Sequence, residues 1–376
     1  MYYFDHSATT PLHPKVKELM DVVGELHFGN PSSVHASGQK AKTLIESARR
    51  QMAKAIGCRS NEIIFTGGGT EANNLVLWNL IHQKKKHVIT SDIEHPAVLT
   101  VLDSLVEFGV TYTAVGVDET GMVNPDDVQN AITEKTGLIS IMLANNEMGT
   151  LQPIAEIAAI ANKYKIIMHT DAVQTLGKIP VNSKELGVDC MSFSAHKFYG
   201  PKGVGALFIK KDLKLKPLII GGNQERRMRA GTENTSGIAG LGLAAELATN
   251  NLHKTQSHLI SLTHAFKAQI THICPEVIFN GHPEKQLPGL VNVSFPGFRN
   301  DLLMIHLDRQ GIAVSSGSAC SSGDIKPSRI LSSMGITDDI NNSTLRISFG
   351  IDNSLQDMEY LIKCFKSTFK RIRSAV

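Results

Sequence analysis

Short apolar stretches alternate with amphipathic helical stretches from about residue 40 to about residue 240. The strand-like segments are EIIFTGG, HVITSD, GLISIMLANNE, KIIMHTDA, CMSFSAHK and GVGALFIKK, and the helical segments are TEANNLVLWNLIHQ, PAVLTVLDSLVEF and IAEIAAIANKY. Such alternation is typical of α/β folds. It predicts a mostly parallel sheet covered by helices on both faces.

Polar residues and glycines follow the predicted strands. They are Gly67–Thr70, Ser91–His95, Asn145–Glu147, Asp171–Gln174 and Ser194–Lys197. In open α/β sheets, ligands bind beyond the carboxyl ends of the strands. These five segments are therefore predicted to share one site.

The pattern changes after about residue 240. A long helical stretch, SGIAGLGLAAELATNNLHKTQSHLISLTHAFKAQI, leads into a mixed segment with the runs LVNVSF, IAVSSGSACSSGD and TLRISFG. We predict a large domain over 13–250. Residues 1–12 and 251–376 are predicted to form a smaller α+β domain.

Composition and charge narrow the class of protein. Of 376 residues, 42% are apolar and 19% charged, as in globular proteins. The net charge of +3 argues against broad nucleic-acid binding, which needs a concentrated basic face. No apolar run approaches the ~18 residues of a membrane span, and the first residues lack a secretory signal pattern. The sequence predicts a cytoplasmic protein that binds neither membrane nor nucleic acid directly.

Five cysteines are scattered along the chain, namely Cys58, Cys190, Cys274, Cys320 and Cys364. Their number is odd and no C-x-x-C pair occurs, so neither a disulfide framework nor a metal site is predicted. A cysteine with a function would therefore act singly.

The glycine loop Gly67–Gly69, followed by Thr70, has two interpretations. Glycines and a helix N-terminus can cradle a phosphate. The same residues fit the dinucleotide pattern Gly67-x-Gly69-x-x-Ala72, with Asp92 at the position of a ribose-binding acid. A lone pattern of this kind is weak, so the dinucleotide enzyme ranks second.

A carboxylate and a lysine follow two successive strands. Asp171 ends KIIMHTD, and Lys197 follows MSFSAH before a glycine–proline turn. A pyridoxal phosphate site needs a lysine for a Schiff base and an acid against the pyridinium nitrogen. The pair therefore predicts pyridoxal 5'-phosphate as cofactor.

Ten ordered segments resemble one known family. They are FDHSATTP, GNPSSVH, GGGTEANN, EHPAV, NNEMGT, TDAVQTLGK, SFSAHKFYGPKG, RAGTEN, SSGSACSSG and LRISFG. Together they resemble the cysteine desulfurases of the NifS/IscS type, in the class V aminotransferase group of fold-type I pyridoxal phosphate enzymes. The resemblance implies that the mostly parallel sheet is of the seven-stranded type. It also implies conversion of L-cysteine to L-alanine, with the sulfur carried by the enzyme as a persulfide.

The resemblance also implies residue roles. Lys197 would hold the cofactor covalently, Asp171 would pair with its ring nitrogen, and Gln174 would bind its ring hydroxyl oxygen. His95 would stack on the ring and assist proton transfer. The phosphate would be held by Gly69, Thr70, Ser194 and His196, with Thr232 from the neighbouring subunit of a homodimer. Asn146 and Arg346 would bind the substrate carboxylate, and Asn146 would also contact the cofactor.

Cys320 lies in SSGSACSSGD, among serines and glycines. Residues with so little apolar surface pack poorly, so a mobile segment is predicted in which one thiol takes and carries sulfur. A class V aminotransferase would need no such cysteine, and a non-catalytic scaffold for cluster assembly would need none of Lys197, Asp171 and Arg346.

The stretch GDIKPSRIL resembles the branch with the longer cysteine loop. That branch serves iron–sulfur cluster assembly or tRNA thiolation. The resemblance therefore implies a sulfur-acceptor protein, such as an iron–sulfur scaffold or a tRNA-thiolation enzyme, without saying which.

Overall fold

The computed structural model describes residues 1–316 and 327–374. The strands are β1 (Tyr2–Tyr3), β2 (Ile63–Thr66), β3 (His87–Ser91), β4 (Thr111–Val115), β5 (Thr136–Ser140), β6 (Ile167–Asp171), β7 (Cys190–Ser194), β8 (Gly205–Ile209), β9 (Ile278–Asn280), β10 (Leu290–Ser294), β11 (Ile312–Ala313) and β12 (Thr344–Ser348).

The α-helices of these residues are α1 (Pro14–Leu26), α2 (Ala36–Ala55), α3 (Gly69–Trp78), α4 (Pro96–Leu105), α5 (Pro125–Asn130), α6 (Ile154–Lys163), α7 (Ser183–Leu186), α8 (Thr235–Asn250), α9 (Leu252–Ile273), α10 (Asn300–Asp308), α11 (Arg329–Ser333), α12 (Asp338–Asn341) and α13 (Leu355–Arg373).

A seven-stranded sheet forms the centre of the molecule, in the order β2-β8-β7-β6-β5-β3-β4. The predicted mostly parallel sheet is confirmed, with β8 running antiparallel to both neighbours. Because β6, β7, β5 and β3 are parallel, their carboxyl ends meet at one edge. Polar residues that follow these four strands are thus brought together.

Strand β4 has no counterpart among the segments predicted from sequence. It pairs in parallel with the outer side of β3. Its first four residues alternate between exposed and half-buried positions, so no continuous apolar run marks it. An edge strand of this kind carries a weaker pattern than the buried strands beside it.

The strand order excludes the dinucleotide alternative. In that motif the strand after the glycine loop lies beside the first strand, and the acid ends that second strand. Here β2 and β3 are five places apart in the sheet. At about 4.8 Å per strand spacing, Asp92 lies roughly 24 Å across the sheet from the loop.

Besides the apolar core around the seven-stranded sheet, a second apolar core combines Phe4 with side chains between Leu259 and Phe369. The three-stranded sheet β12-β10-β9 belongs to it, and β1 pairs with β11, so the N-terminal residues pack here. On this ground we propose the boundaries predicted above, 1–12 with 251–376 against 13–250. In the described part of the chain, no helix is long and apolar enough to cross a membrane.

The long helical stretch after residue 234 is two helices rather than one. Asn251 separates α8 from α9, and its side-chain amide donates to the Leu247 carbonyl at 2.8 Å. A side chain that takes up a terminal carbonyl ends a helix. The apolar periodicity continues across this break, which is why the sequence pattern conceals it.

Candidate active site

The glycine loop after β2 leaves room for an anion. Gly68 has φ +154° and ψ −178°, a conformation that side-chain-bearing residues avoid, and it is the N-cap residue of α3. A Cβ on Gly69 would lie 2.6 Å from Cγ2 of Val173. The structure therefore requires glycine at both positions, and the free N–H groups of the α3 terminus face the resulting cavity.

The four residues of this chain predicted to hold phosphate surround that cavity. Its lining includes Gly69, Thr70, Ser194 and His196, and also Thr9 and Lys202. His196 Nδ1 lies 3.1 Å from the Thr9 hydroxyl. Burial, with smaller contributions from Lys197, Lys202 and Lys178, lowers the pKa of His196 to about 4. The neutral His196 imidazole and the Lys202 side chain thus lie beside the N-terminus of α3.

Asp171 lies at the carboxyl end of β6 and is buried. Its Oδ2 accepts from the Asn73 side-chain amide at 2.7 Å, and its Oδ1 accepts from the Val173 backbone N–H at 3.0 Å. Both oxygens of this carboxyl group are thus fixed by hydrogen bonds at the sheet edge, on the strand beside β7.

Lys197 follows β7 in a short 3₁₀ turn. Its Nζ donates to the carbonyls of Ser7 and Ala8 at 2.6 and 2.8 Å. Burial is the main cause that lowers its pKa to about 8; Arg346 lowers it further, and Asp171 and Asp5 oppose the shift. At neutral pH an appreciable fraction is therefore uncharged amine, the form that attacks a carbonyl carbon.

Gln174 is buried between the N-terminal segment and a second lysine. Its Nε2 donates to the Ser7 carbonyl at 2.9 Å, and its Oε1 accepts from Lys178 Nζ at 3.1 Å. The Ser7 carbonyl thus accepts from both Gln174 and Lys197.

His95 precedes Pro96 and caps α4. Its Nδ1 accepts from the Ala97 N–H at 3.0 Å, so a neutral imidazole carries its proton on Nε2. Lost hydration lowers the pKa of His95, while Asp171 raises it and Lys197 lowers it further. His95 is thus a neutral ring at the same edge as the aspartate and the lysine.

Arg346 lies on β12, a strand of the second core, and its side chain extends to this edge of the seven-stranded sheet. Only 4% of the residue is exposed, and its guanidinium contacts Asp5 Oδ1 at 2.7 Å and the Asn146 carbonyl at 3.0 Å. Among the residues that the structure describes, neither its buried Nε nor the buried Oδ1 of Asn146 has a hydrogen-bond partner. Buried polar atoms are normally paired, so this unmet capacity marks the place where a polar ligand fits.

One predicted residue of the described part of the chain, Thr232, is not brought into this cluster and is exposed on the surface. Cys320 lies outside the described residues. On either side of that segment, Ser315 pairs with the Arg346 backbone, and the Ser328 hydroxyl donates to Glu147 Oε2 at 2.5 Å.

Sequence patterns missed several residues of the site. Asp5, Asn73 and Lys178 contact Arg346, Asp171 and Gln174 respectively. Asn73 carried a usable signal, because it lies one turn into the helix that starts at the glycine loop. Asp5 and Lys178 carried no local signal, since their partners are set by tertiary packing.

Comparison with known proteins agrees with this arrangement. The family profile described as aminotransferase class-V matches residues 2–361. The chain belongs to this family. Family members depend on pyridoxal 5'-phosphate, and their fold is the fold-type I architecture found here.

Individual relatives cover almost the whole chain. The cysteine desulfurase IscS of Dictyoglomus turgidum is 45% identical over 99% of this chain and 95% of its own length. The enzyme of the same name from Methanosarcina thermophila is 43% identical over 99% and 93%.

Solved structures agree as closely. A NifS-like protein superposes with a TM-score of 0.92 at 36% identity, covering 98% of this chain and 99% of its own. The protein SspA, solved in complex with cysteine, gives 0.82 at 34% identity, covering 93% and 99%.

The class V cofactor fits the residues present. The glycine cradle offers N–H donors at one end of the site, and the carboxyl group of Asp171 lies on the strand next to the one that leads to Lys197. Pyridoxal phosphate needs an anion site, a negative partner for its ring nitrogen and a lysine. All three occur together at one sheet edge.

Proposed function

We propose that this protein is a pyridoxal phosphate-dependent cysteine desulfurase. It converts L-cysteine to L-alanine and passes the sulfur to Cys320 as a persulfide. The observation that carries the proposal is the convergence of Lys197, Asp171 and the buried Arg346 at one sheet edge. The names of the relatives, cysteine desulfurases over nearly the full chain, point to the same reaction.

Bound pyridoxal phosphate supplies an electron sink for the substrate α-carbon. Asp171 would face the ring nitrogen, and Gln174 would bind the ring hydroxyl oxygen. Lys197 would hold the cofactor covalently and, once freed, would move protons at the substrate α-carbon. His95 would stack on the ring and could donate a proton from Nε2. Gly69, Thr70, Ser194 and His196 would hold the phosphate.

The Cys320 thiolate attacks the substrate sulfur, and the carbon–sulfur bond breaks. The sulfur remains on Cys320 as a persulfide, and the three-carbon fragment leaves as alanine after gaining a proton. Four chain steps separate Ser316 from Cys320, which can span at most about 14 Å. Because Ser315 pairs with Arg346, this short reach supports access of the thiol to the substrate.

We expect Arg346→Ala to weaken L-cysteine binding while the cofactor stays bound. The planar guanidinium suits a carboxylate, and a lost charge-assisted pair costs on the order of 2 kcal/mol, or about thirtyfold in KM. Steady-state kinetics with visible spectra would measure both quantities. Arg299→Ala is the control, since Arg299 forms an exposed ion pair with Asp301. An unchanged KM for Arg346→Ala would contradict the role.

A homodimer completes the proposed site, with Thr232 reaching the phosphate of the neighbouring subunit. Arg229 ties this loop to the cradle helix through Glu71, at 3.0 Å. Large apolar side chains exposed in this chain, including Phe28, Val34 and Ile220, could be covered by a second copy. Light scattering should give twice the 40.9 kDa chain mass, and an active monomer would refute this proposal.

The recipient of the sulfur is proposed to be a protein of iron–sulfur cluster assembly or tRNA thiolation. We also propose a cytoplasmic location, where reducing conditions keep the Cys320 thiol available.

The experiment that tests the function is incubation of the purified holoenzyme with L-cysteine. Alanine should form without any keto acid, and the intact chain should gain one sulfur atom. A class V aminotransferase would instead require a keto-acid acceptor and leave the mass unchanged.

A further inference from the structure

Lys178 lies behind the cofactor lysine, in a position that the proposed mechanism does not use. It follows the turn after β6 and lines a cavity of about 410 Å³ between the two apolar cores. Lys197 lines the same cavity. Surrounding protein strips the Lys178 ammonium of hydration, and the charges of Lys197 and Arg346 add to this; together they lower its pKa to about 7. A strongly dehydrated lysine needs a structural or functional reason.

The contacts of Lys178 determine how the Gln174 amide is oriented. An ammonium group only donates hydrogen bonds, and a backbone carbonyl only accepts them. The amide lies between one of each, with Oε1 toward Lys178 at 3.1 Å and Nε2 toward the Ser7 carbonyl at 2.9 Å. If the amide were rotated by 180°, its NH₂ group would face the Lys178 ammonium and its oxygen would face the Ser7 carbonyl. The amide orientation is therefore fixed by its neighbours.

The same chain of contacts reaches Lys197. The Ser7 carbonyl that accepts from Gln174 also accepts from Lys197 Nζ at 2.6 Å. Lys178, Gln174, Ser7 and Lys197 thus form one continuous hydrogen-bonded row. The charge of Lys197 is one of the causes that lower the pKa of Lys178, after burial.

We propose that Lys178 is a positioning residue for the cofactor site: it holds the Gln174 amide with Nε2 on the Ser7 side. The proposal rests on the proposed function of Gln174 and Lys197 at the cofactor. It concerns only the resting holoenzyme, before substrate binds.

Other charged and titratable groups face the same space. His6, Lys254, His258 and Asp352 line the cavity, and Arg346 acts on both lysines. Lys254 is exposed on α9 and makes no contact with Gln174. It therefore offers a matched control: the same change of charge on the same cavity, without the hydrogen bond.

The test uses holoenzyme variants without L-cysteine. For Lys178→Met, the cofactor should dissociate about tenfold faster than from the wild type, because Gln174 loses a charged partner. Lys178→Arg should restore the wild-type rate. Lys178→Gln, which can donate without charge, should also keep the slow dissociation.

Lys254→Met should leave the rate unchanged. Wild-type dissociation from Lys178→Met would overturn the proposal, as would an equal acceleration in Lys254→Met. If Lys178→Met does not fold, Lys178→Gln alone decides, since fast dissociation from this donor-retaining variant would refute the proposed hydrogen bond. Failure of the desulfurase function would appear separately, as absent alanine from a wild-type protein that retains its cofactor.

Discussion

Lys197→Ala is expected to abolish covalent attachment of pyridoxal phosphate and the visible band that borohydride bleaches. The reason is positional, because Lys197 lies one turn beyond β7, next to the strand that ends in Asp171. Its pKa of about 8 leaves part of the amine uncharged at neutral pH. Loss of both the covalent bond and the proton carrier should reduce turnover by roughly 10³-fold or more.

The presence of Lys178 sharpens this experiment. Lys178 lines the same cavity as Lys197 and belongs to the same hydrogen-bonded row. Gln174, however, stands between Lys178 and Ser7. Lys197→Ala should therefore gain no substitute attachment. Lys210→Ala, which alters an exposed ion pair with Asp189, should keep the band. A borohydride-bleached band in Lys197→Ala that disappears in Lys197→Ala/Lys178→Met would show that the wrong lysine had been assigned.

The sheet edge could be predicted from sequence because its pattern is local. Each buried strand is a short apolar run, and the residue after it is polar or glycine. Parallel strands then bring Asp171, Ser194 and His95 to one edge without further information. The resemblance to cysteine desulfurases implied the roles of these residues, and the family comparison supports that resemblance.

Contacts between the cores could not be predicted. Asp5 and Arg346 are separated by 341 positions, and neither stands in a pattern that names the other. Lys178 was indistinguishable from a surface lysine, because its burial depends on α8, α9 and the segment after β12 that close over it. The Asn251 break was hidden for a different reason, since both helices continue one apolar periodicity.

The four described cysteines are poor nucleophiles. Burial raises the pKa of each thiol, to about 12 for Cys58 and about 11 for Cys274, and likewise upward for Cys190 and Cys364. The thiolate is the form that attacks sulfur, so none of these four is suited to accept sulfur near neutral pH. This supports the proposal that the fifth cysteine, Cys320, is the acceptor.

Cys320→Ser should therefore keep the cofactor, its colour and L-cysteine binding, because those steps use Lys197, Asp171 and Arg346. It should form alanine at least about 10³-fold more slowly and gain no sulfur, since a serine hydroxyl is neither ionised nor thiophilic at neutral pH. Intact-mass spectra after exposure to L-cysteine would show one added sulfur in the wild type only. Peptide mapping should place it on Cys320, and a reductant should release it as sulfide.

Cys58→Ser is the matched control, because it changes a half-buried thiol away from the site and should leave both alanine formation and the added sulfur intact. The aminotransferase alternative expects the reverse pattern, with turnover that ignores Cys320 and depends on a keto acid. Desulfuration of L-cysteine by Cys320→Ser at the wild-type rate would refute the mechanism, even though the cofactor site and the family would stand. The thiol at residue 320 is thus what distinguishes a desulfurase from an aminotransferase on this fold.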